Sequence, residues 1–182
     1  SVHINLGIED LDLLFPAIRL IRCEAALFLA LSASSPFLDG VTTGAHSQRW
    51  LQFPLTPSSV PIFLDHPHYV RWIEQQLANG NMKNERHLWS SIRPNGQRRP
   101  YLLDRMELRI CDLITNPDSL LAITFLLELR VLNLLRNPEK FDPLISSQLS
   151  VNDLEKISTL NDMSAAKESL NSNLTHWFDG RK

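Results

Sequence analysis

Residues 105–113 read Arg-Met-Glu-Leu-Arg-Ile-Cys-Asp-Leu, and the pattern of this segment indicates the class of fold. Its apolar side chains alternate with Glu107 and Arg109, so the two sets point to opposite faces of a β-strand. The same alternation appears at about 2–8 and at 87–93. The pattern therefore predicts a mainly antiparallel sheet with one apolar face and one polar face.

Helical patterns surround these strands. Helices are predicted at about 10–32 and 66–79, where apolar residues recur at helical spacing. A third begins at an Asn-Pro pair and covers 117–136; it is apolar nearly all round and is predicted to be the core helix. A last amphipathic helix is expected around 170–177. Strands and helices together predict an α+β fold.

Composition limits the possible classes of protein. The chain has 182 residues, of which 43% are hydrophobic, and a formal net charge of −2. One domain is expected, with its main part at 1–145 and a helical tail of the same domain at 146–182. Nucleic-acid binding is not expected without a basic excess. No apolar run is long enough for a membrane span and no signal peptide is visible, so we expect a cytoplasmic protein.

The two cysteines and the first residues of the chain lead to one prediction each. Cys23 and Cys111 stand in apolar contexts and form no metal-binding pair, so they are interpreted as buried free thiols. The chain begins inside a predicted strand without an initiator Met. We therefore expect a fragment, a processed product or a chain that lacks its N-terminal part.

The polar faces of the three strands carry the chemistry. If the strands pair in one sheet, His3, Arg93, Glu107 and Arg109 converge on one surface. A carboxylate, an imidazole and two guanidinium groups suit magnesium and phosphate groups. An ordinary solvent-facing sheet has the same alternation, and Arg93 could instead pair with Asp104 or with Asp112.

Several segments resemble one family, in the family's order, over residues 1–136. They are Val-His-Ile-Asn at 2–5, Leu-Ala-Leu-Ser-Ala-Ser-Ser-Pro-Phe-Leu-Asp-Gly-Val-Thr-Thr-Gly-Ala-His-Ser-Gln-Arg at 29–49, Leu-Trp-Ser-Ser-Ile-Arg-Pro at 88–94 and Met-Glu-Leu-Arg-Ile-Cys-Asp at 106–112. Together they resemble the C-terminal half of the bacterial, cyanobacterial-type glutamate–cysteine ligases, which belong with the carboxylate–amine ligases.

The resemblance implies a fold similar to part of the catalytic domain of glutamine synthetase, a curved, mainly antiparallel sheet backed by helices. It also implies an ATP-dependent enzyme with magnesium ions, whose substrates are glutamate and cysteine. A carboxylate attacks the γ-phosphate of ATP, and the amine then captures the acyl phosphate. The product is γ-glutamylcysteine, the first step towards glutathione. In such a reaction the protein supplies mainly positioning and charge neutralisation.

The resemblance also implies roles for particular residues. Glu107 corresponds to a metal-binding glutamate, and His3 to a residue near metal and nucleotide. Arg109 corresponds to a phosphate-contacting arginine that binds nucleotide and takes part in catalysis. Arg93 is expected to contact phosphate or substrate during catalysis. Trp89 is expected at the substrate.

The long polar loop at 37–61 adds one more candidate. This loop contains Arg49, which is expected to hold a substrate carboxylate or, alternatively, to hold the loop in place.

Departures from the family's pattern leave alternatives open. Ser90 and Ser91 stand where many relatives have Trp and Asp, and an extra stretch occupies 97–105. A different amine substrate is one alternative, and a non-catalytic, partner-binding remnant of the fold is another. The family's further metal-binding carboxylates precede this segment, so the missing N-terminal half is an expected partner and the fragment alone is expected to be inactive. A homodimer formed through a sheet edge is a further alternative.

Overall fold

A computed structural model describes residues 1–54 and 56–182, and its central feature is a three-stranded antiparallel sheet. The strands are β1 (Ile4–Gly7), β4 (Ile92–Asn95) and β5 (Arg105–Leu108), in the order β1–β5–β4. Strand β5 therefore lies in the middle, between β1 and β4. Asn5 and Arg93 lie on either side of Glu107 in the register. Residues directly opposite one another share a face, so this register forms the polar face.

The second predicted strand, 87–93, is wrong at its start. Residues Glu85–His87 form a short 3-10 helix, and β4 begins only at Ile92 and continues through Pro94 to Asn95. The Ser90 hydroxyl donates a hydrogen bond to the Ile92 carbonyl at 2.5 Å. The Asn84 side chain accepts from the Arg86 amide at 2.9 Å and caps this helical turn, which replaces the predicted start of the strand. Strand β4 is an edge strand, so Pro94 is tolerated there.

The connection from β4 to β5 fixes the register of the polar face. A side chain at Gly96 would collide with the backbone carbonyl of Leu102, so only glycine fits this close approach. The Asp104 amide donates to the Asn95 carbonyl at 3.0 Å and closes the connection. Glu107 is thereby aligned with Arg93.

Helix α1 (Leu11–Ser32) is the core helix, rather than the 117–136 helix predicted for that place. Most of α1 is buried, and it packs against the sheet, α4 (Pro117–Arg136) and α7 (Val151–Glu168). In α4 the buried residues are Ile123, Leu127, Val131 and Leu134, which form one stripe. The opposite side exposes further apolar residues, including Leu121 and Phe125. The apolar residues around α4 therefore form two faces, one buried against the core and one exposed.

The remaining elements connect these layers. They are a small hairpin of β2 (Phe37–Leu38) and β3 (Val41–Thr42), with the helices α2 (Gln48–Leu51), α3 (His66–Ala78), α5 (Pro138–Phe141) and α6 (Pro143–Ser146). The predicted long loop thus contains two short strands and one helical turn. Among the described residues, no helix has both the length and the apolar character to span a bilayer. Cys23 and Cys111 are buried free thiols, as predicted.

The C-terminal tail packs on α1, but its predicted last helix does not form. Only a 3-10 turn, Ser169–Asn171, follows α7. The Asn161 side chain donates to the Thr175 carbonyl and accepts from the Thr175 amide, both at 2.8 Å. These bonds satisfy the backbone in an extended form and compete with a helix. The buried Trp177 indole donates to Glu24 on α1 at 3.0 Å.

Candidate active site on the polar face of the sheet

One buried carboxylate, Glu107, organises the polar face. Its Oε1 lies 3.1 Å from the Nδ1 of His3. Its Oε2 accepts from the Nε of Arg93 at 2.8 Å and from the amide nitrogen of Asn95 at 3.2 Å. Strands β4 and β5 and His3, which directly precedes β1, thus contribute to a single cluster, and Arg93 pairs with neither Asp104 nor Asp112. The side chain of Glu107 is 7% exposed and that of His3 is 39% exposed, so the cluster is open to solvent beside His3.

Arg109 is the member of this cluster whose hydrogen bonding is incomplete. Its Nη1 donates to the Leu88 carbonyl at 3.2 Å. Its buried Nε has no hydrogen-bond partner among the described residues and lies 3.7 Å from the Oε1 of Glu107. The Nη1 of Arg99 is likewise buried without a partner in the described part of the chain. Guanidinium donors of this kind are suited to a phosphate or carboxylate ligand.

The charges of the cluster act on one another. Burial opposes ionisation of Glu107, but the hydrogen bond and charge of Arg93, with Arg109 and His3, hold its pKa below the ordinary value. Burial and the charge of Arg109 lower the pKa of His3, so its imidazole is neutral at pH 7 and able to bind a metal ion. Burial and Arg93 lower the pKa of Arg109 to about 10, which leaves it cationic.

Trp89 lies directly against Arg109. The guanidinium carbon of Arg109 lies 5.4 Å from the ring centre of Trp89 and 5.7 Å from that of Phe53. The two rings meet edge to face, with their centres 4.6 Å apart. Cation–π contacts orient the guanidinium without using its hydrogen-bond donors. The structure thus brings His3, Arg93, Glu107, Arg109 and Trp89 together.

Arg49 lies in a different network. Its Nε donates to the Oδ1 of Asp112 at 2.6 Å, and its Nη2 donates to the Ile110 carbonyl. The same carboxylate accepts from the Ser34 amide and the Ser35 hydroxyl. This geometry favours the alternative role of Arg49, to hold the polar loop against the end of the β5 segment. Its contact with a substrate stays a prediction.

The donor set on this face is too small for a complete magnesium site. Within residues 1–54 and 56–182, no group of three or more His, Cys, Asp or Glu side chains is placed to hold a metal ion. Magnesium needs near-octahedral coordination, mostly by oxygen. Glu107 and His3 therefore fit as part of a ligand set completed by other residues, phosphate or water. The arginines fit phosphate oxygens.

Arg99 is a residue of this site that sequence reasoning missed. Arg99 lies outside every strand, in the extra stretch 97–105, and its charge also lowers the pKa of Arg109. No periodicity could have indicated it. The Arg98-Arg99 pair was the only available signal, and it is visible merely as a local basic run.

The fold and this face define an α+β protein with one buried carboxylate among cationic side chains, a site suited to phosphate groups. The family model of glutamate-cysteine ligase family 2 (GCS2) matches residues 1–182. The chain belongs to this family, which confirms the resemblance of its motifs.

Similar curated proteins carry the provisional name glutamate–cysteine ligase 2. The chain is 30% identical to one from Sorangium cellulosum over 132 residues, covering 70% of this chain and 33% of that protein. It is 33% identical to one from Gloeobacter violaceus, covering 70% of this chain and 34% of that protein. For one from Bradyrhizobium the identity is 32% over 144 residues, with 78% and 34% covered. The chain thus spans about a third of the length of these relatives.

Proposed function

We propose that the whole protein is an ATP-dependent ligase that joins the side-chain carboxylate of glutamate to the amine of cysteine. A carboxylate oxygen attacks the γ-phosphorus of ATP and ADP leaves. The amine nitrogen then attacks the acyl carbon, loses a proton and releases phosphate. This chain contributes the phosphate-contacting part of a site on a glutamine-synthetase-like sheet.

The observation that carries this proposal is the shortage of acceptors around Arg109. Arg93 and Arg109 share one carboxylate, while the buried Nε of Arg109 has no acceptor among the described residues. Leaving a buried charged donor unpaired costs about 1–3 kcal/mol or more. A phosphate oxygen would remove this cost and receive charge-assisted hydrogen bonds. In phosphoryl transfer the same contacts neutralise charge on the reacting group.

Glu107 and His3 are proposed as magnesium ligands within a larger set. Magnesium, when bound, neutralises phosphate charge and polarises the phosphoryl oxygen. The neutral imidazole of His3 and the ionised Glu107 have the protonation states that metal ligands need. The further ligands would come from the part of the protein outside this chain.

The test uses the full-length protein with ATP, magnesium, glutamate and cysteine, and measures cysteine-dependent phosphate release. We expect release from the wild type and a loss of about 10²–10³-fold in Glu107→Gln. Asp104→Asn is the matched control, because Asp104 forms a half-exposed ion pair with Arg105 outside the cluster.

Three outcomes would change the proposal. No release with any amino acid would exclude the ligase, and release that ignores cysteine but requires another amine would change the substrate. If Glu107→Gln turns over at the wild-type rate, the active site does not lie on the polar face of this sheet.

A further inference from the structure

Helix α4 presents an apolar face to solvent. Its large exposed side chains, spaced three or four residues apart, are Leu121, Phe125, Leu129 and Leu132, at 67%, 58%, 41% and 36% exposure. This spacing puts them on one side of the helix, opposite the buried stripe. The outer face of α3 is polar by contrast, with Arg71 and Glu74 exposed. An exposed apolar surface of several large side chains usually marks an interaction site.

The same face of α4 carries one charged residue near each end. Asp118 lies in the first turn of the helix and Arg136 in the last turn. They are about five helical turns apart, so they project in the same direction, about 27 Å from each other along the axis. Both are exposed, and neither forms an ion pair with any described residue. The face thus has a negative end, an apolar middle and a positive end.

This order of charges makes the face complementary to a second copy of itself. When two such helices pack antiparallel about a two-fold axis, residues at equal distances on either side of the axis lie opposite each other. With the axis at Leu127, Asp118 of one copy faces Arg136 of the other, and Phe125 faces Leu129. One register therefore aligns the charges and the apolar residues together. The antiparallel helix dipoles also attract each other in this arrangement.

The position of α4 in the fold favours a second copy over the rest of the same protein as the occupant of this face. Helix α1 packs on β4 and β5, while α4 packs on α1 and α5. Because α1 covers the apolar side of the sheet, α4 lies on the other side of the sheet from the polar face. The segments that complete the candidate active site belong on the polar face. This last step rests on the proposed function, whereas the exposure and the charges of α4 do not.

We infer that α4 forms the interface of a homodimer, in which the α4 helices of two copies pack antiparallel. Phe125 and Leu129 form its apolar centre, and Asp118 and Arg136 form an ion pair at each end. Glu128 is exposed at the opposite margin of the face, close to the two-fold axis. The two Glu128 side chains therefore approach each other and oppose the pairing.

The test measures the dissociation constant of the dimer by sedimentation equilibrium of the full-length protein at low ionic strength. Phe125→Glu should raise this constant by about 100-fold or more, because it puts a charge at the centre of an apolar interface. Leu102→Glu is the matched control and should leave it unchanged, since Leu102 is 57% exposed in the connection between β4 and β5. Glu128→Gln should lower the constant by about threefold, because the like charges are removed.

An exchange of charges shows which residues face each other. Asp118→Arg or Arg136→Asp alone should raise the dissociation constant by about tenfold, because each change puts like charges together at both ends of the interface. The double variant should return to within about twofold of the wild type. The two residues are too far apart on one helix to compensate each other there, and both changes oppose the helix dipole. Recovery can therefore come only from pairing between copies.

Three outcomes would overturn the inference. A wild type that stays monomeric at all concentrations would mean that this face is covered within one copy of the protein or by a different partner. A dimer that persists in Phe125→Glu would place the interface on another surface, such as the sheet edge. A double variant as weak as the single ones would exclude the antiparallel register. None of these measurements requires turnover, so failure of the ligase proposal would leave their result unaffected.

Discussion

Two acidic residues close together on one chain segment, Glu107 and Asp112, have opposite surroundings. Asp112 is 1% exposed and accepts from the Ser34 amide and from the hydroxyls of Ser35 and Ser47, in addition to Arg49. Every strong acceptor position of its carboxylate is used. Glu107 is also buried, but it is shared between two arginines and a histidine.

The difference separates a structural network from a candidate site. Around Asp112 the donors and acceptors are balanced, which stabilises the fold and leaves nothing for a ligand. Around Glu107 the cationic donors exceed the acceptors, and Arg109 keeps a buried Nε without a partner among the described residues. Buried donors that the protein itself does not satisfy are expected where a ligand completes the network.

The largest effect is expected where the balanced network is broken. Asp112→Ala removes the acceptor of four donors and leaves Arg49 without its carboxylate. Breaking a buried pair in this way should lower the free energy of unfolding by about 3–5 kcal/mol. Denaturant unfolding of the full-length protein measures it, with Asp104→Ala as a control expected to change stability by less than about 1 kcal/mol. A loss no greater than that of the control would show that the network is not structural.

The two arginines should respond in opposite ways. Arg109→Met should reduce turnover by about 10²–10³-fold while stability changes little, because the lost guanidinium was incompletely paired. Arg49→Met should lower stability by about 2–3 kcal/mol, since Asp112 then remains buried without its cation. Turnover per folded molecule and thermal midpoints, measured on both variants, check this. The opposite result, a larger loss of turnover in Arg49→Met and a larger loss of stability in Arg109→Met, would contradict the assignment of the two networks.

Substitution of His3 tests whether the solvent-exposed side of the Glu107 cluster binds a metal ion. His3→Gln should raise the magnesium concentration for half-maximal turnover by about 10–100-fold, the usual range for disturbed metal ligation. A titration of turnover with magnesium measures it, and the saturated rate should recover much of the loss. An unchanged magnesium requirement would assign His3 to orientation of Glu107 alone.

The sequence predicted the parts of this comparison that depend on local periodicity. The alternation in residues 105–113 indicated a strand and, together with the other two strands, the shared face of His3, Arg93 and Glu107. The pattern could not say that Asp112, at the end of the same segment, turns into a different network. That outcome depends on Ser34 and Ser35, which follow α1, and on Ser47 and Arg49 from the 37–61 loop, all of which approach only in the folded chain.

The errors on helices have a similar physical origin. An apolar circumference predicted α4 as the core helix, but a helix can be apolar on two sides without both sides being buried within this chain. The tail near Trp177 has helical spacing, and Asn161 overrides it with side-chain hydrogen bonds to Thr175. The local sequence pattern thus predicts the faces of the strands well in this protein. It predicts helices less well where a side chain distant in sequence competes for the backbone hydrogen bonds.

Asp162 lies between the two extremes, and its titration gives the smallest predicted effect. One oxygen is paired with Arg22 and the other has no hydrogen-bond partner among the described residues. Its pKa in the folded protein is raised to about 6 from an ordinary value of 3.8, so the folded state retains a proton that the unfolded state has already lost between these values. Stability should therefore fall as pH rises through this window, relative to Asp162→Asn, by on the order of 1 kcal/mol between pH 5 and 7. Unfolding of both proteins at several pH values measures the difference, in which other titrating groups cancel. A difference that rises with pH, or does not change, would mean that the free oxygen is satisfied in solution and that Asp162 belongs with Asp112 rather than with the cluster around Glu107.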